Sequence, residues 1–287
     1  MHYHPRTPMR VHHLDCCTMC PYPERLVNGR GSMLLRGRMV SHCLLIETDA
    51  HGLVLVDTGI GLDDIATPEA RLGKEFVVTT GLGKPSPKMS AIEQVKAFGL
   101  DPRDVRHIVP THLDLDHAGG LADFPWAKVH VHAAERDAAL ARTTFMERKR
   151  YRPAHFAHRP DWAPYSQTGE SWKGFPAVRA LPGLPPELLA IPLAGHTRGH
   201  ACIAVDTDAR WLLHAGDAYF GRGAIDGRGA PAGLRLFEQF AAIDAKRVRE
   251  NHARLGELAR AHAADVTVFS AHDCDEFDAL RGVAPRH

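Results

Sequence analysis

The sequence predicts an α/β protein built as a sandwich of sheet and helix layers. Short apolar runs typical of β-strands occur in both halves of the 287-residue chain, and segments with helical apolar spacing lie between them. Some neighbouring strands are joined by a tight turn, as in a hairpin. Mixed connections of this kind favour an α/β sandwich over a doubly wound parallel sheet.

The clearest hairpin is predicted at residues 42–57, where the runs CLLI and LVLV flank the turn DAHG. Further strands are indicated by short apolar or alternating runs at 105–109, 128–132, 188–193, 202–205, 211–214 and 266–269. Helices are indicated by apolar spacing or alanine content at 90–98, 133–142 and 236–263. The core positions expected in the last helix are Phe237, Phe240, Ile243, Val248, Leu255 and Leu258.

The composition is that of an ordinary globular protein, with 44% hydrophobic and 24% charged residues and a formal net charge of +1. This balance gives no reason to expect nucleic acid or a membrane surface as a partner. No apolar run approaches the ~20 residues of a membrane-spanning helix, and the N-terminal residues lead into no apolar signal segment. We therefore expect a cytoplasmic protein with a small-molecule substrate, and the sequence does not indicate its oligomeric state.

No linker divides the chain, so a single domain over residues 1–287 is expected, with a distinctive segment at about 143–175. This segment holds seven of the chain's 20 aromatic residues and a basic run at 148–152. One interpretation is an irregular excursion packed on the main body. The other is a cap over an active site, because small-molecule pockets combine apolar and aromatic walls with few charges.

The strongest functional signal is the stretch THLDLDHAGG at residues 111–120, directly after a predicted strand. It places four potential metal ligands within six residues, namely His112, Asp114, Asp116 and His117. A loop at a strand end can turn several such side chains toward one point, whereas a helix would spread them around its circumference. Imidazole and carboxylate groups are typical ligands of borderline and hard divalent ions. Taken alone, the stretch is also compatible with a solvated polar loop.

Three later strand ends also carry histidine or aspartate. They are GHTRGH at 195–200, AGDA at 215–218 and SAHD at 270–273. The recurrence of such residues at four strand ends is far more specific than any one of these motifs, and it predicts a metal centre.

This ordered set resembles the metallo-β-lactamase superfamily, whose signature is H-x-H-x-D-H followed by single histidine, aspartate and histidine ligands. The resemblance runs from the hairpin at 42–57 to His272, and it implies an αββα sandwich with two divalent metal ions at the sheet edges. Zinc is the expected metal, with iron or manganese as alternatives. The resemblance assigns His112, Asp114 and His196 to one metal, Asp116, His117 and His272 to the other, and Asp217 as a bridge.

Asp114 departs from the family pattern, which has histidine at this position. A carboxylate can still bind zinc, manganese or iron. We expect its charge to weaken the first metal as a Lewis acid and to favour harder ions. The flavodiiron oxygen and nitric oxide reductases carry glutamate here, so a di-iron redox protein is an alternative, although this chain has no room for their flavodoxin partner.

Two further residues receive a role from the resemblance. The triplet DTG at 57–59 occurs once, so it does not indicate an aspartic protease, which needs two carboxylates. In the superfamily, Asp57 would lie beside the metals and orient a ligand histidine. Tyr219 follows Asp217 by two residues. In the N-acyl-homoserine lactonases of this superfamily a tyrosine shortly after the corresponding aspartate contacts the lactone carbonyl, and a packed core tyrosine is the other interpretation.

The cysteines near the N-terminus are a weaker signal. Cys16, Cys17 and Cys20 include a C-x-x-C pair, but a second pair is missing. Buried or incidental thiols are therefore favoured over a structural zinc site.

The implied chemistry is metal-assisted hydrolysis. Two ions ~3.5–4 Å apart hold a bridging hydroxide that attacks a carbonyl or phosphoryl centre, and Asp116 or Asp217 relays a proton to the leaving group. The AGG continuation at 118–120 and Tyr219 favour a lactonase or related carboxylic-ester hydrolase. A phosphodiesterase or a thioesterase of the same fold is the alternative. Retention of all seven ligand-type residues disfavours a non-catalytic metal-binding module.

Overall fold

The computed structural model describes residues 9–82, 85–166 and 169–282. Within them the strands are β1 (Arg10–Asp15), β2 (His42–Thr48), β3 (Gly52–Val56), β4 (Val105–Val109), β5 (Lys128–His132), β6 (Asp161–Tyr165), β7 (Glu170–Trp172), β8 (Phe175–Ala180), β9 (Leu188–Pro192), β10 (Ala201–Asp206), β11 (Trp211–His214) and β12 (Val266–Phe269).

The α-helices of the described residues are α1 (Glu24–Asn28), α2 (Leu62–Ala66), α3 (Pro68–Arg71), α4 (Lys74–Thr80), α5 (Ala91–Ala97), α6 (Leu115–Ala118), α7 (Ala133–Ala141), α8 (Phe145–Arg150), α9 (Gly223–Asp226), α10 (Ala232–Ala241), α11 (Ala245–Ala261) and α12 (Cys274–Leu280). None of them combines the length and the apolar character that a membrane crossing requires.

Each half of the chain builds one six-stranded sheet. The first sheet has the order β1-β2-β3-β4-β5-β6 and the second β12-β11-β10-β9-β8-β7. The first sheet begins with an antiparallel meander, β1 to β3, and continues with parallel pairs to β6. The second sheet is antiparallel from β7 to β11, and β12 pairs parallel with β11.

The central strands are buried on both faces, which explains their continuous apolar runs. In β2, Leu44 and Ile46 lie in the core between the sheets, together with Ile203 of β10. The alternate residues Cys43 and Leu45 lie in a separate core on the outer side of the first sheet. Successive strand side chains point to opposite faces, so one run of sequence supplies two cores.

Helices cover the outer faces of both sheets. Val95 of α5 and Ala139 of α7 pack into the outer core of the first sheet. Leu255 and Leu258 of α11 pack against the second sheet. The layers are therefore helix, sheet, sheet and helix. This confirms the α/β class and the αββα sandwich expected from the sequence.

The single helix predicted at 236–263 is wrong in detail, because two helices, α10 and α11, are separated at residues 242–244. The side chain of Asp244 accepts hydrogen bonds from the backbone N–H groups of Lys246 and Arg247 and so caps α11. Phe237, Phe240 and Ile243, expected in the core, are 47%, 72% and 41% exposed. Two of them, Phe237 and Phe240, border a cavity, because α10 turns its apolar residues to this opening rather than to a sheet.

The aromatic-rich segment 143–175 contains α8, β6 and β7, and only residues 167 and 168 of it lie outside the described residues. Four of its seven aromatic side chains, those of Tyr151, Phe156, Tyr165 and Phe175, are buried in the three sheet cores, so they are not available to form a wall over the site. The single domain over 1–287 and the cap stay predictions.

The N-terminal cysteines are free thiols. Cys16 and Cys17 are buried, whereas Cys20 is partly exposed. No group of three or more potential ligands among the described residues includes them.

Candidate metal centre

Three of the four ligand-bearing loops follow strands that run in the same direction. Strand β10 is antiparallel to both β9 and β11, and β12 is parallel to β11. The loops after β9, β11 and β12, which carry His196, Asp217 and His272, therefore leave from one edge of the second sheet. Strand β4 of the first sheet leads into the remaining loop. The centre thus lies where the two packed sheets end together.

The chain after β4 forms a short loop and then the single turn of α6. Asp114 is the N-cap of this helix, but its side chain makes no capping hydrogen bond. The carboxylate is therefore available for other contacts. Asp116 and His117 lie on the helix itself and are buried. A one-turn helix places these side chains near those of the preceding loop.

The turn that carries Asp217 requires a glycine at position 216. Gly216 has a φ of +51°, and a Cβ there would lie 2.9 Å from the Cβ of Thr111. Only glycine adopts this conformation without strain and without that clash. The backbone N–H of Asp217 donates to Nε2 of His200 at 3.0 Å, which further fixes the turn.

Four predicted ligands form the first group, in which the potential ligand atoms all lie within 4.8 Å of one another: His112, Asp114, His196 and Asp217. Nε2 of His196 lies 3.0 Å from Oδ2 of Asp114 and 3.3 Å from Oδ2 of Asp217. Nε2 of His112 lies 3.5 Å and 3.6 Å from the same two oxygens. Two imidazoles and two carboxylates therefore face one point.

The second group consists of Asp116, His117 and His272, again within 4.8 Å. The other oxygen of Asp217, Oδ1, lies 3.3 Å from Nε2 of His117 and 3.2 Å from Nε2 of His272. The Asp217 carboxylate thus lies between the two groups with one oxygen toward each. The structure brings together all seven residues that the sequence predicted as ligands.

The Nδ1 atoms of three of these histidines are held by neighbours. They lie 2.9 Å from Oδ2 of Asp57 for His117, 2.8 Å from the carbonyl of Val40 for His272 and 3.0 Å from Oγ1 of Thr111 for His112. A proton on Nδ1 would leave Nε2, the atom that faces the carboxylates, with the lone pair that a metal ion needs. Outer contacts of this kind fix the tautomer that a metal ligand needs.

Asp57 links two of these loops. Its Oδ1 accepts from the backbone N–H of Thr111 at 2.7 Å, and its Oδ2 accepts from the Thr111 hydroxyl at 2.9 Å. Burial alone would raise the pKa of Asp57, but the charge of His117 and its hydrogen bond lower it. An ionised carboxylate is therefore held against His117, as the family resemblance implied.

Several buried polar atoms at the centre have no hydrogen-bond partner in the described part of the chain. They are Nε2 of His112, Nε2 of His117, Oδ1 of Asp114 and Oδ1 of Asp217. A buried polar atom without a partner costs about 1–3 kcal/mol, so such a cluster indicates a missing binding partner. Imidazole and carboxylate suit zinc, manganese and iron. The residues therefore fit a pair of divalent ions.

Protonation equilibria favour the charged forms of Asp217 and His117. The pKa of Asp217 lies well below its usual range, because the nearby histidines outweigh the opposing effect of burial. The pKa of His117 lies well above its usual range, since Asp217 and Asp57 outweigh burial there too. Asp217 is thus ionised, and metal binding would displace a proton from His117.

The Tyr219 hydroxyl does not face the centre, contrary to the sequence-based expectation. It is completely buried and lies 3.0 Å from both carboxylate oxygens of Glu276. Its ring belongs to the core between the second sheet and α11. The next residue, Phe220, occupies the expected place, and its ring stacks on His272 at a centroid distance of 5.1 Å and an interplanar angle of 17°.

Sequence reasoning missed Arg150, the last residue of α8. Its side chain is only 7% exposed, and Nη1 lies 3.3 Å from Oδ2 of Asp114. In the sequence it stands within a basic run, which is usually a solvated surface. The only available signal was the coincidence of that run with an unusual acidic residue in the metal motif.

A cavity of about 700 Å³ opens onto the centre. Asp114, Asp116, Asp217 and other centre residues lie at its floor. Its apolar lining comes from Tyr22, Leu26, Phe76, Phe220, Phe237 and Phe240, and its basic lining from Lys74, Lys149, Arg150 and Arg152. The cavity therefore combines an apolar wall with a positively charged side.

Comparison with known proteins agrees with this geometry. The profile of the Metallo-beta-lactamase superfamily matches residues 36–262. A probable metallo-hydrolase of Mycobacterium tuberculosis is 41% identical over 279 residues, which cover 96% of this chain and 84% of the relative. The N-acyl homoserine lactonase AiiA of Bacillus thuringiensis subsp. kurstaki is 30% identical over 172 residues, 58% of each chain.

Solved structures share the fold. A variant of AiiA from B. thuringiensis with N-decanoyl-L-homoserine bound at its active site has a TM-score of 0.71 at 21% identity, covering 98% of this chain and 99% of that chain. The dizinc quorum-quenching lactonase AidC, in complex with a product, has a TM-score of 0.60 at 16% identity, covering 93% and 88%.

The chain therefore belongs to the metallo-β-lactamase superfamily. Within that superfamily it is a metallo-hydrolase related to the N-acyl homoserine lactonases. The family and the enzyme class expected from the sequence are confirmed.

Proposed function

We propose that this metallo-hydrolase binds two divalent ions, zinc first among them, and hydrolyses a lactone or another carboxylic ester with an apolar tail. The observation that carries the proposal is the position of Asp217, whose two carboxylate oxygens face two separate groups of ligand side chains at the floor of one cavity. The proposed ligands are His112, Asp114 and His196 for one ion, Asp116, His117 and His272 for the other, and Asp217 for both.

When bound, the ions supply an activated water molecule and an electrophile for the substrate carbonyl. The protein's own residues do the remaining work. Asp57 and Thr111 hold the histidines in the tautomer that presents Nε2 to the centre. Asp116 is the better candidate for moving a proton to the leaving alkoxide, because its side chain is 11% exposed whereas that of Asp217 is 4% exposed.

The apolar lining of the cavity favours a substrate with an acyl tail. Phe237 and Phe240 of α10 border the cavity although they are partly exposed to solvent. Covering such side chains with a substrate tail stabilises the complex by ~25 cal/mol per Å² of apolar surface. The related structure with N-decanoyl-L-homoserine shows that a relative of the same fold holds such a molecule at its active site.

A phosphodiester is the second candidate substrate, and the basic side of the cavity favours it. Lys149, Arg150 and Arg152 line the same cavity as the apolar residues of α10. Lys149 is already paired with Glu75 at 2.5 Å, and Arg152 donates to the carbonyl of Arg71 at 2.9 Å. Glu75 offsets the charge of Lys149, and the carbonyl contact occupies one donor of Arg152, so the ester is preferred.

The test compares acyl lactones of increasing tail length with bis-aryl phosphodiesters on one metal-replete preparation. We expect lactone hydrolysis with a KM that falls by up to about fourfold for each fully buried methylene. Phe237→Ala should raise KM for long-tailed lactones by several-fold and leave short-tailed ones unchanged. The matched control is Leu236→Ala on the same helix, since Leu236 is 70% exposed and does not line the cavity.

The outcome of that comparison decides between the two candidates. If the kcat/KM for the phosphodiester is about tenfold above that for the best lactone, the proposed substrate becomes a phosphodiester instead of an ester. Equal effects of Phe237→Ala and Leu236→Ala on every lactone would remove the acyl-tail assignment.

A further inference from the structure

We propose that Arg150 is a positioning residue whose charge offsets that of Asp114, so that the pair stands in for the neutral histidine of the family motif. This inference rests on the proposed metal centre, but not on the identity of the substrate. It assigns a function to the unusual residue of the motif and to a residue far from it in sequence.

The guanidinium of Arg150 is fixed from three sides. Nη1 donates to the carbonyl of His196 at 3.2 Å, and Nη2 donates to the carbonyl of Ala241 at the end of α10. Nη1 also lies 3.3 Å from Oδ2 of Asp114. Both side chains are largely buried, at 7% and 15% exposure. Arg150 therefore connects α8, α10 and the His196 loop at the edge of the first ligand group.

The two oxygens of Asp114 have different surroundings. Oδ2 faces Arg150 and His196, whereas Oδ1 is buried without a hydrogen-bond partner. The carboxylate is thus oriented by one oxygen and leaves the other available to a metal.

Charge balance explains why the pair is needed. The first ligand group contains two carboxylates, Asp114 and Asp217, whereas a histidine in place of Asp114 would leave only one. The guanidinium of Arg150 does not lose its proton at physiological pH. Together the pair is neutral, as an imidazole is. The first ion can therefore keep the Lewis acidity that an uncompensated second carboxylate would reduce.

A purely structural tether predicts something different. If Arg150 only joined backbone carbonyls, its removal would weaken metal binding equally whether residue 114 is aspartate or histidine. Charge compensation instead predicts that loss of Arg150 does not lower zinc affinity in either background, and that it raises the affinity most where residue 114 is histidine. With aspartate at 114, loss of Arg150 leaves an extra negative charge beside the ion. With histidine at 114, Arg150 itself becomes an uncompensated positive charge there.

The experiment measures zinc affinity by competition with a chromophoric chelator, without substrate, for wild type, Arg150→Met, Asp114→His and the double variant. We expect Asp114→His to weaken binding of the first zinc ion by about tenfold. The double variant should recover to within about threefold of wild type. Arg150→Met alone should bind zinc at least as tightly as wild type, with the pH–rate profile shifted to higher pH.

Two further variants separate charge from folding. Asp114→His with Arg150→Lys should stay as weak as Asp114→His, because lysine keeps the charge but not the bidentate contact to the carbonyls. Asp114→His with Lys149→Met, which removes the adjacent cation of the same cavity wall, should give no recovery. Far-UV circular dichroism and Tm of each variant identify any that fail to fold.

The proposal is overturned if Arg150→Met lowers zinc affinity by the same factor in both backgrounds. It is equally overturned if the Lys149→Met control restores affinity as well as Arg150→Met does. Neither result depends on whether lactones are hydrolysed, so failure of the proposed substrate leaves this test intact.

Discussion

The Nδ1 atom of His117 lies 2.9 Å from Oδ2 of Asp57, and the same carboxylate accepts two hydrogen bonds from Thr111. One buried aspartate therefore holds a ligand histidine and the start of the metal-motif loop in a fixed relation. The backbone of Asp57 has a φ of +57°, which is uncommon outside glycine. The backbone adopts this uncommon conformation at the residue whose carboxylate makes the three contacts described above.

Replacing Asp57 by asparagine should therefore weaken metal binding without removing a ligand. The amide has the shape of the carboxylate but not its charge, so it no longer favours the Nδ1 proton of His117. We expect metal affinity to fall by about 10–100-fold, measured by chelator competition. The control is Asp49→Asn in the exposed turn between β2 and β3. Equal affinity in both variants would contradict an orienting role for Asp57.

Metal content is the second prediction. Seven candidate ligands are too many for one tetrahedral ion and suit a bridged pair. Elemental analysis of protein purified without chelator should give close to two ions per chain. Chelator treatment should lower the Tm, since an ion at 100 times its Kd stabilises the folded state by about 2.7 kcal/mol. A content near one that persists after metal supplementation would exclude the dinuclear centre.

Tyr219→Phe should affect stability rather than turnover. The variant loses the hydroxyl contact to Glu276 and keeps the ring in its core. A hydrogen bond to a buried carboxyl group contributes about 1–3 kcal/mol to the free energy of unfolding. Denaturant titration measures that loss, and kcat on the best substrate should stay near the wild-type value. A large fall in kcat with unchanged stability would show that the hydroxyl reaches the reacting atoms after all.

Glu276 should make stability depend on pH. Burial, and then the charge of Asp273, raises the pKa of Glu276 from 4.5 to about 8 in the folded protein. The folded state therefore binds the proton more tightly than the unfolded state. This contribution to stability is fully present below about pH 4.5 and is lost as pH rises toward 8, with a slope of up to about 1.4 kcal/mol per pH unit.

The isosteric variant Glu276→Gln isolates this effect. Its free energy of unfolding should not fall with pH in the way the wild-type value does, so the difference between the two proteins should change steadily between pH 5 and 8. Urea titrations of both proteins at a series of pH values measure that difference. A difference that stays constant across this range would show that the pKa of Glu276 is not raised.

The candidate ligands could be recognised from sequence because each motif that carries them follows a strand with a clear apolar pattern. His196, Asp217 and His272 are far apart in the chain, but strand direction brings them to one edge of a sheet. The apolar runs indicate the strands, and the family resemblance supplied the assignment of the ligands to two metals. Asp57, directly after β3, likewise received its role from the resemblance.

Arg150 and Phe220 could not be found by that reasoning. The burial of Arg150 depends on the end of α10 and the His196 loop, which are distant in sequence. Phe220 and Tyr219 differ by one position in an extended stretch, where adjacent side chains point to opposite sides. Nothing local in the sequence states which of the two faces the cavity. The break between α10 and α11 likewise depends on contacts of residues 243 and 244 with the His196 loop.

Both proposed ligand groups draw on both halves of the chain. The first combines residues 112 and 114 with 196 and 217, and the second combines 116 and 117 with 272. During synthesis, the ribosome releases the first sheet long before β12 exists. The second group gains its third ligand only when residue 272 has been made and has packed beside the first sheet. Complete loading of the proposed centre would therefore indicate that the two sheets have docked.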